Sequence, residues 1–171
     1  SGMDGIVRML PNGRLQLHTG VGNLGTYSYA STSRAAAEVL KMSWDDCDII
    51  TGRTDRHLAI SSPQDGSNSI FTNTRTAYGA AQDMLAKMKE IAAMDLGGEA
   101  ADYDIDGSRV FRIDDSTNMT AMTYAEVAQR DDDQKDDEDE LDAAAHELGE
   151  GRVDLARPGQ GLDPAPGPAR R

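Results

Sequence analysis

Three glycines in the stretch HTGVGNLGTYSY, residues 18–29, have a spacing that could bring the polypeptide backbone against a phosphate group. Gly20, Gly22 and Gly25 match the spacing of a dinucleotide-binding loop, in which small residues leave room for a pyrophosphate. The stretch follows a strand-like run and precedes a helix-like one. The sequence therefore predicts a cofactor-binding loop here, either of the dinucleotide type or of a different glycine-rich type.

The strand before the glycine loop argues against the dinucleotide type. The first strand of a dinucleotide-binding fold is covered on both faces, and it is therefore a continuous apolar run. Residues 14–18 alternate instead, with Leu15 and Leu17 on one face and polar side chains on the other. Arg53 stands near the end of the next strand, where an acidic residue would bind the ribose. A small nucleotide-binding domain therefore remains the weaker alternative.

The histidines and the cysteine give no independent catalytic centre. His18 and His57 have no convincing Ser or Cys partner in their sequence context, and His146 falls in an acidic tail. Cys47 is the only cysteine, which rules out an internal disulfide and a multi-cysteine zinc or iron–sulfur site built from this chain alone. We therefore predict no catalytic residue and no metal ligand.

The apolar patterns predict an α+β fold, in which a mixed sheet of two hairpins and a central strand packs against two main helices. A long polar loop is expected between the central strand and the second helix. The predicted elements in chain order are strands at 6–9 and 14–18, a helix at 26–41, a strand at 47–51, a helix at 73–94 and a hairpin within 102–113.

Local signals mark the ends of several of these elements. Pro-Asn-Gly at 11–13 and Asp106-Gly107 favour the tight turns of hairpins. Gly97-Gly98 is expected to end the second main helix. Thr123 is the predicted N-cap of a short third helix, with Glu126 at the capping-box position.

The negative charge of the chain is concentrated in its last part. The formal net charge is −13, and residues 131–171 contain 13 acidic against 5 basic residues. We predict a folded domain over residues 3–130 and a disordered acidic tail, containing Pro and Gly, over residues 131–171. The lack of a basic face argues against nucleic-acid binding. The lack of a long apolar segment argues against a membrane span, and a cytoplasmic protein is expected.

The order of features over about residues 5–130 resembles the molybdenum-binding large subunit of the xanthine dehydrogenase and aldehyde oxidase family. These features are a strand, HTGVGNLGTYSY, an alanine-rich helix, LKMSWDDCDIITGRTD, a polar loop, SNSIFTNTRTAYGAA and a long helix. The resemblance implies the molybdenum cofactor, as molybdopterin or its cytosine dinucleotide form. It also implies that FAD and [2Fe-2S] clusters belong only to partner subunits.

The resemblance implies that the glycine loop approaches this cofactor. In the family the loop typically ends in Gly-Gln-Gly, and the corresponding residues here are Gly25, Thr26 and Tyr27. Gly25 is retained, whereas a hydroxyl replaces the carboxamide and a tyrosine replaces the last glycine.

A second cofactor-binding segment is implied just before the long helix. The family places Ser and Thr residues there to hold the pterin phosphate or dinucleotide, and Thr72, Asn73, Thr74 and Arg75 occupy that place. A helix start offers unpaired N–H donors and a partial positive charge, and an arginine can add a bidentate contact to phosphate. The alternative is that Thr72 or Asn73 only caps the helix.

The function implied by the resemblance is that of a portion or subunit of a molybdenum hydroxylase, which oxidises aldehydes or N-heterocycles. The catalytic glutamate of the family has no match, since neither Glu126 nor the tail carboxylates correspond to it. We therefore expect the chain to help hold the cofactor, to work with other portions of the enzyme on a small-molecule substrate, and to be inactive alone. The alternative is a noncatalytic binding or scaffold module that has lost the cofactor, with which Thr26-Tyr27 is consistent.

Overall fold

The computed structural model describes residues 4–22, 25–51, 55, 64, 68–115, 117 and 120–133. They belong to a compact unit that spans Ser1–Lys135. Most of the predicted acidic tail lies outside the described residues. The elements are β1 (Ile6–Met9), β2 (Leu15–Thr19), α1 (Ser28–Val39), β3 (Cys47–Thr51), α2 (Asn68–Leu96), β4 (Tyr103–Asp106), β5 (Arg109–Arg112), β6 (Ala121–Thr123) and the helical residues 124–133, called α3 here.

The first sheet has the strand order β1-β2-β3. β1 runs antiparallel to β2, and the predicted turn between them is confirmed, with Gly13 at φ 80°. β3 runs parallel to β2, with Leu15 opposite Cys47 and Thr19 opposite Thr51. Because a parallel neighbour requires a crossover, α1 lies between these two strands in the chain. The segments that follow β2 and β3 therefore both begin at the carboxyl edge of the first sheet.

The second sheet is antiparallel, with the order β4-β5-β6. Its first turn is the predicted one, where Gly107 and Ser108 have φ values of 55° and 59°. The α+β class with two hairpins and two main helices is confirmed. The strands do not form one mixed sheet, however, because the second hairpin packs against α2 and pairs with β6 rather than with the first sheet.

One apolar core joins both sheets to the helices. Tyr124, at the start of α3, is only 1% exposed, and its hydroxyl donates a hydrogen bond of 2.7 Å to the Leu40 carbonyl. Tyr103 is also buried, and its hydroxyl donates to the Gly97 carbonyl over 2.6 Å. Each ring therefore fills the core while its polar end is satisfied. Other buried members of the core are Leu15, Leu17, Ile91, Ile105, Val110 and Val127.

The start of α2 differs from the prediction by five residues, since the helix begins at Asn68 rather than near residue 73. Its first turns are rich in Asn, Ser and Thr, which favour loops because their side chains compete for backbone groups. Here those side chains bond within the helix. Thr72 Oγ1 donates to Asn68 Oδ1 over 2.6 Å, and Asn73 Nδ2 donates to the Ser69 carbonyl over 2.9 Å. The polar residues are thus accommodated without ending the helix.

The other predicted helix ends are largely as expected. α1 begins two residues later than predicted, at Ser28, and α2 ends at Leu96, just before Gly97 at φ 85°. The capping box of α3 is confirmed. Glu126 N–H donates to Thr123 Oγ1 over 3.2 Å, while Glu126 Oε2 accepts from Thr123 N–H over 2.7 Å.

An ion pair between Arg14 and Asp48 links β3 to the residue before β2. Arg14 Nε donates to Asp48 Oδ2 over 3.2 Å, and Nη2 donates to Oδ1 over 2.9 Å. The hydrogen bond from the guanidinium lowers the pKa of Asp48. A carboxyl whose pKa is lower in the folded state adds stability above its unfolded pKa, and this stability is lost as the pH falls through the folded pKa.

We therefore expect Asp48→Asn to lower the free energy of unfolding at pH 7, with the difference from the wild type shrinking as the pH falls below about 4. Urea unfolding of both proteins across this pH range measures the effect. Asp45→Asn, at an exposed carboxylate of the neighbouring turn, is the matched control. A deficit for Asp48→Asn that stays constant down to acid pH would contradict the assignment.

Candidate functional site

The two segments with predicted cofactor contacts leave the same edge of the first sheet. Thr19 and Thr51 are paired at the carboxyl ends of β2 and β3. The glycine loop follows Thr19, and the segment that leads into α2 follows Thr51. α1 and α2, which come after these segments, pack against each other. Open sheets bind ligands at the carboxyl ends of parallel strands, so this edge is the candidate site.

The described part of the glycine loop exposes Gly25, Thr26 and Tyr27 just before α1. Gly25 has φ 86°, and a Cβ at this position would meet nothing within 4 Å. The loop therefore needs glycine here for its backbone conformation, and the space beside it is open. A hydrogen bond of 2.6 Å joins Thr26 Oγ1 to Ser28 Oγ. Residues 23 and 24 lie outside the described residues.

Tyr27 occupies an unusual backbone conformation directly before α1. It has φ 52°, in the left-handed region that non-glycine residues rarely adopt, and its side chain is 63% exposed. Its ring lies 6.0 Å from the ring of Tyr29. The chain therefore keeps a large, exposed aromatic side chain in a backbone position that glycine would occupy more easily.

Residues 72–75 lie in the second turn of α2, and the expectation that they immediately precede the helix is wrong. Only the N–H groups at the very start of a helix lack an intrahelical acceptor, and α2 starts at Asn68. The backbone donors for an anion therefore lie one turn before the residues chosen from the sequence. Residues 72–75 can contribute only through their side chains.

Asn73 is turned toward the interior. It is 5% exposed, and it lines a narrow space together with Thr19, Thr32, Ser33 and Thr76. The volume of this space, about 10 Å³, is sufficient for at most one water molecule. Asn73 therefore lies where α2 approaches the end of β2 and α1.

Arg75 is exposed on the outer face of α2. Its guanidinium lies 5.3 Å from the centre of the Phe71 ring, a cation–π arrangement that keeps the charge at the surface. Phe71 is itself 64% exposed, and Ile70 and Tyr78 are also exposed on the first turns of the helix. This part of α2 therefore presents one cation together with several apolar side chains. Thr74 beside it is half-buried.

Sequence reasoning missed a contact between the glycine loop and the segment that follows β3. Gly22 N–H donates to Gln64 Oε1 over 2.9 Å, and Gln64 Nε2 donates to the Gly22 carbonyl over 3.1 Å. No local pattern could have revealed it, because the two residues are 42 positions apart and Gln64 stands alone in a polar segment.

Two kinds of feature are absent from the part of the chain that the structure describes. It contains no group of three or more His, Cys, Asp or Glu residues arranged to hold a metal ion. None of its helices combines the length and the apolar character that a membrane crossing requires.

Residues 2–154 match the family model of the molybdopterin cofactor-binding domain, and the chain belongs to this family. The resemblance to the molybdenum-binding large subunit of the xanthine dehydrogenase and aldehyde oxidase family is confirmed by this match together with the solved structures below. No match to the chain was found among curated proteins.

Three solved structures share the fold of this chain. Quinoline 2-oxidoreductase from Pseudomonas putida 86 is 20% identical with a TM-score of 0.58, over 75% of this chain and 16% of that chain. A Cu,Mo-CO dehydrogenase is 25% identical with a TM-score of 0.60, over 71% and 15%. Reconstituted CO dehydrogenase from Oligotropha carboxidovorans is 24% identical with a TM-score of 0.59, over 71% and 15%. The chain thus matches only about a sixth of the length of these proteins.

Proposed function

We propose that this chain is a portion of a molybdenum hydroxylase and helps to hold the molybdopterin cofactor. The observation that carries the proposal is that the glycine loop follows Thr19 at the carboxyl end of β2, and that Asn73 in the second turn of α2 lines one narrow space with Thr19. Membership in the molybdopterin cofactor-binding domain family identifies the group for which such a site is suited. When bound, this cofactor supplies the redox chemistry at molybdenum, while the chain supplies binding and orientation.

The first turns of α2 are proposed to hold the phosphate end of the cofactor. α2 begins at Asn68, and its first turn carries the partial positive charge of a helix N-terminus. Thr74 adds a hydroxyl from the next turn, and Arg75 adds an exposed guanidinium that can bind phosphate through two parallel hydrogen bonds. Thr72, which donates its hydroxyl proton to Asn68 Oδ1, supports the first turn instead. Asn73, buried beside α1, keeps this turn in place. The residues present therefore fit an anionic group.

The glycine loop is proposed to contact the pterin side of the cofactor. The open space beside Gly25 lets the backbone approach a ligand closely. Thr26 and Tyr27 are exposed beside it, and each can offer a hydroxyl. Where the family has a carboxamide and a second glycine, this chain therefore offers two hydroxyl groups and an aromatic ring.

Turnover is proposed to require other portions of the enzyme. The catalytic glutamate of the family is not matched in this chain, and FAD and [2Fe-2S] clusters would belong to partner subunits. A mainly apolar groove of about 760 Å³, lined by β1, α2 and α3, offers a surface that another portion could cover. The substrate class by resemblance is an aldehyde or an N-heterocycle.

A noncatalytic scaffold is the second candidate, and Tyr27 favours it. A bulky exposed ring stands where the family has a small residue, and it could obstruct the approach of the cofactor. Molybdenum and pterin content of the native complex separates the two functions. About one molybdenum per chain supports the first function, and none supports the second.

We expect Arg75→Met to weaken cofactor binding by about 10- to 100-fold, because a charged hydrogen bond to phosphate contributes about 1.5–3 kcal/mol. The measurement is titration of the full chain with molybdopterin released anaerobically from a purified enzyme, followed by pterin fluorescence. Arg34→Met on α1, where another exposed arginine lies over Trp44, is the matched control and should bind normally. Equal affinity of both variants would contradict the assigned phosphate contact.

A further inference from the structure

The Gln64 side chain forms hydrogen bonds with both the N–H and the carbonyl group of Gly22. Its carboxamide accepts from Gly22 N–H over 2.9 Å and donates to the Gly22 carbonyl over 3.1 Å. A carboxamide is well suited to this pattern, because it carries an acceptor and a donor side by side. A carboxylate could only accept, and an alanine could do neither. The pair therefore depends on the chemical identity of residue 64.

The glycine at position 22 makes this close approach possible. A Cβ built on Gly22 would lie 3.3 Å from Gln64 Oε1, which is tighter than an ordinary contact. A larger residue would press the carboxamide away from the backbone. Gly22 and Gln64 are therefore complementary in shape as well as in hydrogen bonding.

The contact joins the two segments that leave the carboxyl edge of the first sheet. Gly22 follows β2, whereas Gln64 stands between β3 and α2. Glycine-rich segments lose much conformational freedom when they are ordered. A contact that fixes the loop beforehand lowers the ordering cost that ligand binding would otherwise carry.

We propose that Gln64 is a positioning residue, which holds the glycine loop through Gly22 in the conformation that receives the cofactor. The assignment rests on the proposed function, because it concerns the same site. It adds a residue that need not touch the cofactor and acts through the backbone of the loop.

Two measurements on the full chain test this role. The first is hydrogen exchange of the Gly22 amide, which reports on the contact without any cofactor. The second is titration with the released molybdopterin cofactor. In Gln64→Ala we expect Gly22 to exchange about 5- to 10-fold faster and the cofactor to bind about 5- to 10-fold more weakly, since two exposed hydrogen bonds are lost. The thermal midpoint should remain near that of the wild type.

Two further variants sharpen the test. Gln64→Glu keeps an acceptor for Gly22 N–H but loses the donor to its carbonyl, so that exchange and affinity should fall between those of the wild type and Gln64→Ala. Gln82→Ala, at an exposed glutamine on α2, should change neither quantity.

The outcomes distinguish the Gly22–Gln64 contact from its role in cofactor binding. Unchanged exchange of Gly22 in Gln64→Ala would overturn the contact itself. Faster exchange with unchanged cofactor affinity would overturn the positioning role and leave the proposed function intact. If the wild-type chain protects Gly22 but does not bind the cofactor, the proposed function fails, and the role of Gln64 toward the cofactor fails with it.

Discussion

Tyr124→Ala is expected to lower the free energy of unfolding by about 3–5 kcal/mol, the range for removing a large buried aromatic ring. Tyr124 is among the largest fully buried side chains, and it connects α3 to the end of α1 through the hydrogen bond to the Leu40 carbonyl. Burial also raises the pKa of its phenol, as expected for a hydroxyl held in apolar surroundings. Chemical denaturation monitored by circular dichroism measures the loss.

Tyr124→Phe separates packing from hydrogen bonding. The ring is kept, but the Leu40 carbonyl loses its donor, for which we expect a cost of about 1–3 kcal/mol. Tyr78→Ala, at an exposed tyrosine on α2, is the control and should cost less than about 1 kcal/mol. A loss in Tyr124→Ala no larger than that in Tyr78→Ala would show that α3 does not pack as described.

Gly5→Ala is expected to destabilise the protein by about 2–3 kcal/mol, because the added methyl group has no room. A Cβ on Gly5 would lie 2.7 Å from the carbonyl carbon of Thr76 and closer still to its carbonyl oxygen. Both atoms belong to the backbone of α2, which cannot move aside as a flexible side chain could. The close approach of the residue before β1 to α2 therefore requires glycine at this position.

Gly79→Ala is the matched control for Gly5→Ala, and the sign of its effect should be opposite. Gly79 lies within α2, and a Cβ there would meet nothing within 4 Å. Alanine in a helix interior is more favourable than glycine by up to about 1 kcal/mol, so that Gly79→Ala should stabilise the protein. Urea midpoints of the two variants that shift in the same direction would contradict the close packing at Gly5.

The features that the sequence predicted correctly are those set by local chemistry. The turns at Gly13 and Gly107 need positive φ, which their residue types supply. The capping box of Thr123 and Glu126 involves residues only three positions apart. In each case the residues that determine the turn or cap lie within a few positions of it. Such elements can therefore be predicted without knowledge of the fold.

The predictions that were wrong concern the start of α2 and the arrangement of the sheets, which depend on distant parts of the chain. The first turns of α2 look like a loop by composition, yet they are helical, with Asn73 buried and its polar neighbours bonded within the helix. The division into two sheets depends on which strands the second hairpin meets. Local sequence cannot report either fact, because tertiary packing overrides propensity.

The cofactor contacts implied by the resemblance stay a prediction. The structure does bring the two segments near each other, since the glycine loop follows Thr19 and Asn73 of α2 lines one narrow space with Thr19. The helix nevertheless starts at Asn68, so that its first N–H groups precede residues 72–75. The contact of Gln64 could not be predicted from local sequence, since its partner, Gly22, is 42 residues away.

The length of α2 has a consequence for how the molecule unfolds. Its 29 residues extend about 43 Å, and the helix packs against strands of both sheets. Neither sheet can lose this shared support without exposing the apolar face that the other uses, so that both should melt in a single cooperative transition. Damage confined to the second sheet should then also destabilise the first sheet, whose carboxyl edge is the candidate site.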